Sequence, residues 1–135
     1  MVRDPTVAGP DASALELART MAEKRIGSVI ITDDNKPVGI VTERDLVRRV
    51  LAVSKDPTHL TAINICSKPV ITCAENGDVE DAVDIMKDYN IRRIVVTDDK
   101  KEVVGILTFD DVVANLKDLS EDMAVKFLVL SRARR

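Results

Sequence analysis

Apolar residues along the chain fall into two alternating patterns. Positions Leu15, Ala18, Met21 and Ala22 recur three and four apart, as do Val79, Ala82, Val83 and Met86. That spacing predicts one-sided helices. Each is followed by a short β-branched run, "SVIIT" at 28–32 or "RIVVT" at 93–97, which predicts a strand. A polar turn comes next, "DDNKP" or "DDKKE", and then a second strand, "VGIV" or "VGIL". Short extended pieces, "PTVA" and "PVITC", precede the helices, and a further helix begins at a Thr-x-x-Asp segment. The predicted order is β-α-β-β-α, twice.

The two copies align residue by residue. Met21 matches Met86, and Thr32-Asp33-Asp34 matches Thr97-Asp98-Asp99, each 65 residues apart. Gly39, Thr42 and Asp45 match Gly105, Thr108 and Asp111 at 66, so the second copy carries one extra residue in its turn. The pattern divides the chain into a first repeat (1–53), a linker with the lead-in to the second (54–66), a second repeat (67–117) and an extension (118–135). A unit of about 50 residues cannot cover both faces of its own sheet, so pairing of the two sheets is expected.

Thr42-Glu43-Arg44-Asp45 has the makings of a helix cap, with Thr at the N-cap and an acid three residues on. The same geometry suits a ligand. A helix start presents free N–H groups to a phosphate, and an Asp one turn in offers two acceptors to the vicinal hydroxyls of a ribose. A cap can also face a ligand, so the two readings coexist. The segment stands at matching places in both copies.

Two β-α-β-β-α units in tandem, each with an apolar strand ending in Asp and then Gly-apolar-apolar-Thr-x-x-Asp, resemble the cystathionine-β-synthase (CBS) domain family over about residues 1 to 117. A tandem pair of these is called a Bateman module. The resemblance implies an α+β fold: two pseudo-symmetric CBS repeats packed through their sheets, here with an added C-terminal helix. It implies two clefts that take adenosyl ligands and a regulatory role without chemistry of its own. The first cleft would join Ile40, Thr42 and Asp45 with Thr61 and Ile65, and with Arg92 and Arg93 at the phosphates. Guanidinium groups bind phosphate oxygens bidentately, so AMP, ADP or ATP is favoured over S-adenosylmethionine. The second would join Ile106, Thr108 and Asp111 with Gly27 and Ser28. It is expected to be weaker. It has no arginine pair, Phe109 and Asp110 replace Glu43 and Arg44, and nothing precedes Met1 to match "LTAINI" at 60–65. The isoleucines could line an adenine slot or simply be core, and the arginines could be a solvated strand start.

Composition narrows the alternatives. The charged third of the chain nearly balances, at net −3, which argues against a dedicated nucleic-acid binder. No apolar run is long enough to cross a membrane. Cys66 and Cys73, with the single His59, fit no zinc spacing, and two reduced thiols suit a cytoplasmic protein. There is no nucleophile–base pair and no Gly-rich phosphate loop, so neither an enzyme nor a metal site is expected. Asp33-Asp34 and Asp98-Asp99 read as turn formers. In the extension, "MAVKFLVL" is apolar on nearly every face, which suits docking across a subunit boundary or over the chain's own core. The expected assembly is a homodimer acting on an unidentified partner protein. The competing expectation is a dimeric scaffold that binds no nucleotide.

Overall fold

The computed structural model describes residues 1–114; the helix expected over 118–135 lies outside them. The fold is α+β with two compact units. One is Pro5–Val70, and the other joins Met1–Asp4 to the chain from Ile71 onward. In chain order the first strand, β1 (Val2–Arg3), belongs to the second of these units.

Within Pro5–Val70, strand β2 (Val7–Ala8) leads to helix α1 (Ala14–Lys24) and the hairpin β3 (Ser28–Asp33) and β4 (Lys36–Thr42). β2 runs parallel to β3, and β3 antiparallel to β4. The expected turn is made by Asp34 and Asn35, with φ of 54° and 63°. Two successive positive-φ residues give the tight turn that matches strand twist. Helix α2 (Glu43–Leu46) follows β4 at once and continues as a π-helical turn over Val47–Leu51. Residues 54–66, anticipated as a linker, include helix α3 (Ala62–Ile65), whose Ala62 and Ile65 are buried in this unit's core.

The buried face of α1 is Ala14, Leu17 and Met21, packed on Val29, Ile31 and Val41 of the sheet. The predicted phase was shifted: Leu15 is half-buried and Ala22 exposed. The cause is long-range. Ala14 N–H donates to Leu60 O at 2.8 Å and Leu15 N–H to Pro57 O at 3.1 Å, so residues 57–60 lie across the first turn. They satisfy donors that a helix start leaves open.

The other unit repeats the plan with β5 (Thr72–Ala74), α4 (Val79–Tyr89), β6 (Arg93–Thr97), β7 (Val103–Thr108) and α5 (Phe109–Val113). Its sheet order is β1-β7-β6-β5. Ala82, Val83 and Met86 of α4 form the core with Ile94, Phe109 and Val112. The longer turn is tied by Asp98, whose Oδ1 accepts from the N–H groups of Lys100 and Glu102. Both acidic pairs therefore start turns, as their sequence suggested.

Candidate functional site

In the Pro5–Val70 unit the Thr-x-x-Asp segment forms a closed capping box. Thr42 N–H and hydroxyl both donate to Asp45 Oδ2, at 2.9 and 3.1 Å, and Asp45 N–H donates back to the hydroxyl at 3.2 Å. Gly27 O receives the next N–H, that of Glu43, at 3.1 Å. Asp45 is only 5% exposed. A buried carboxylate requires partners, and its second oxygen has them. Oδ1 accepts from the Ser67 hydroxyl at 3.2 Å and lies 3.9 Å from Arg49 Nη1.

Ser67 is delivered by its backbone, which exchanges two hydrogen bonds with Ile40. The approach is close: a Cβ on Gly39 would lie 2.6 Å from Cys66 Sγ and 3.2 Å from Ser67 O. Only a residue without a side chain fits there. Arg49 ties the same stretch from the helix side, donating from Nη1 to Ile65 O at 2.7 Å and Cys66 O at 3.0 Å. Ile40, Thr42, Asp45 and Ile65 thus belong to one network, with Ser28 paired to Thr42 beside it. Thr61 is turned to other partners. It bridges Ser13, and its N–H and hydroxyl donate to Asn64 Oδ1.

The second unit builds the matching box from Thr108 and Asp111. Thr108 N–H donates to Asp111 Oδ2 at 3.0 Å, and Asp111 N–H to Thr108 Oγ1 at 3.1 Å. Here Val2 takes the place of Ser67, pairing with Ile106, and Met1 takes that of Cys66. A Cβ on Gly105 would lie 2.5 Å from Met1 Sδ. So Met1 and Val2 do supply a lead-in against this motif.

Arg92 and Arg93 occupy, in their own unit, the places of Gly27 and Ser28. Arg93 pairs with Thr108, and Arg92 O accepts from Phe109 N–H at 2.8 Å. The Arg92 side chain is engaged as well. It lies over the Phe109 ring at 4.4 Å, with Nη2 3.7 Å from Asp110 Oδ1.

Ser67 and Arg49 were not anticipated as site residues. Arg49 carried a readable signal, an acid–base pair four residues apart on a helix. Ser67 carried none, because its bond to Asp45 spans 22 residues. Burial pushes the Cys66 and Cys73 thiols up from their ordinary value. Among the described residues no cluster of three His, Cys, Asp or Glu could hold a metal ion, and no helix is long and apolar enough to cross a membrane.

The sequence pattern of the CBS domain matches residues 1–52 and 62–118. An uncharacterized protein of Methanopyrus kandleri is 42% identical over 111 residues, 82% of this chain and 57% of that protein. The chain thus spans little more than half of that relative's length. A CBS domain protein from Pyrobaculum aerophilum, solved in complex with AMP, superposes with a TM-score of 0.77 at 27% identity, covering 95% of this chain and 94% of that one. A CBS domain pair solved with 5′-methylthioadenosine and S-adenosylmethionine gives a TM-score of 0.74 at 32% identity, covering 84% and 92%. Both halves of the sequence carry the family pattern and both build the same Thr-x-x-Asp box, so the chain belongs to the CBS domain family as a tandem pair.

Proposed function

We propose that this chain is a regulatory module that binds an adenine nucleotide (AMP, ADP or ATP) and converts occupancy into a change of conformation or association. The observation that carries the reading is the doubled Thr-x-x-Asp box, held alike after β4 and β7. The adenine ligands of the two solved relatives support the ligand class. In this proposal Ile40, Thr42, Asp45, Thr61 and Ile65 form the stronger site, with Arg92 and Arg93 for the phosphates. Gly27, Ser28, Ile106, Thr108 and Asp111 form a weaker one. The role is binding, not catalysis. A ligand shifts the protein only by its preference for one arrangement over another. The proposed setting is the cytoplasm, as a homodimer acting on a partner protein.

Isothermal titration calorimetry of the full chain with AMP, ADP, ATP and S-adenosylmethionine tests this. The expected result is binding of a phosphorylated nucleotide that is lost in Asp45→Asn. No heat with any of the four, from folded and ligand-free protein, would overturn it. The second reading, a dimeric scaffold without nucleotide, draws on apolar side chains left exposed after the first motif: Val47 at 53% and Leu51 at 75%.

A further inference from the structure

The two repeats share a plan but divide the charge. Residues 5–70 hold eight Asp and Glu against nine Lys and Arg, whereas residues 71–114 hold eleven against five. Much of that excess lies on one helix. The helical repeat sets Asp81, Asp84 and Asp88 on the side of α4 away from its buried Ala82, Val83 and Met86, with Glu80 beside them. Val79 and Tyr89 stand exposed at the two ends of that helix.

Helix α2 and the π-helical turn after it have the opposite character. Arg44 and Arg48 lie along them, and Lys55 closes the stretch, its N–H donating to Val50 O at 3.0 Å. Arg49 is engaged with Ile65 O and Cys66 O. Among the described residues, no ion pair holds Arg44, Arg48 or Lys55. Val50 serves the unit's own core, while Val47, Leu51 and Val53 are 53%, 75% and 52% exposed. This stretch is basic and apolar at once, the complement of α4.

We propose that the surface around Val47, Arg48, Leu51 and Lys55 takes the acidic face of α4 from a second copy of the chain. This rests on the homodimer in the reading above and names the surfaces that make it. Pairing like with like would set α4 against α4 and Arg48 against Arg48. Like charges brought together oppose association, and unlike charges steer and register it. In a two-fold pair each copy gives one surface and receives the other, so the contact is made twice. Val79 and Tyr89 give α4 apolar area to cover Val47 and Leu51.

Sedimentation of the full chain tests this with two double variants, Arg48→Glu/Lys55→Glu and Asp81→Lys/Asp88→Lys. All four positions are exposed, so urea midpoints should stay near that of the parent. The parent should be a dimer that weakens as salt rises. Each variant alone places like charges at both contacts and should raise the dimer dissociation constant roughly tenfold or more. Mixing the two variants should restore association, as a heterodimer. One contact then carries both reversals and the other carries neither. A dimer indifferent to both variants, or folded variants that stay apart on mixing, would overturn the cross-repeat pairing and leave the homodimer standing. A parent that sediments as a monomer overturns the homodimer and this pairing with it.

Discussion

The guanidinium of Arg92 sits 4.4 Å above the ring of Phe109, a residue of its own unit's Thr-x-x-Asp segment, and the neighbouring Asp110 pairs with it at 3.7 Å. A side chain proposed to meet phosphate is thus already held by an aromatic face and a carboxylate. Asp110 is 90% exposed, and ion pairs at such positions contribute little to stability. Asp110→Asn should change the unfolding free energy by less than about 0.5 kcal/mol. It should also raise affinity for a phosphorylated nucleotide, because Arg92 loses a competing anion. Urea titration and calorimetry on the same preparation read both quantities; an unchanged affinity would remove Arg92 from the phosphate role.

Asp45 and Asp111 do the same local work in different surroundings. Asp45 is buried and accepts from three donors; Asp111 is half-buried. Truncating Asp45 removes a cap and strands the Ser67 and Thr42 donors. Asp45→Ala should therefore lower the unfolding free energy by about 1–3 kcal/mol. Asp111→Ala, at a half-buried position, should cost less, about 1 kcal/mol. Urea midpoints of the two variants check the order, and a larger loss for Asp111→Ala would contradict it.

Both long helices end on a residue in the left-handed region, at φ 54° in each: Arg25 after α1 and Asn90 after α4. The Cβ crowds the following carbonyl there; Asn offsets that cost with its short polar side chain, and Arg has no such compensation. Arg25→Gly should stabilise the chain by about 0.5–1 kcal/mol, the relief of strain less the entropy cost of glycine. Asn90→Ala should destabilise by a similar amount. Thermal unfolding measures both. A fall in midpoint for Arg25→Gly would mean that the arginine side chain holds something its conformation alone does not reveal.

Cys66 bears on pH. Burial raises its thiol above the ordinary 9.0, so the folded chain favours the neutral form. Its contribution is fully present below 9.0 and is lost as the pH climbs through the raised folded value. Urea midpoints should therefore fall on the alkaline side of 9.0, and Cys66→Ala should flatten that fall. In the folded protein at neutral pH, alkylation of Cys66 should be slower than in urea.

The repeat, both hairpins, the acidic turns and the capping function of Thr42 and Thr108 were legible because each rests on neighbours within a few residues. What escaped was set at a distance. The buried face of α1 runs through Leu17 rather than Leu15 because residues 57–60 lie over its first turn. Ser67 joins Asp45 across 22 residues. The motif's acid was visible as a candidate ligand group, but its burial and the residues behind it were not, since periodicity says which face is apolar and not which loop closes over it.

Strand β1 gives the molecule an unusual mechanical loading. Val2 and Arg3 are hydrogen-bonded beside Ile106 and Gly105, while the chain after Asp4 enters the other unit at Pro5. A pull on residue 1 is therefore borne first by the sheet of the second repeat. Two residues of ladder are a short grip, so β1 should peel away at low force and drag Met1 off Gly105 as it goes. The contiguous unit from Pro5 to Val70 comes under tension only after that. A tether or a bulky fusion at residue 1 should accordingly disturb the Thr108–Asp111 end of the chain and spare Thr42 and Asp45.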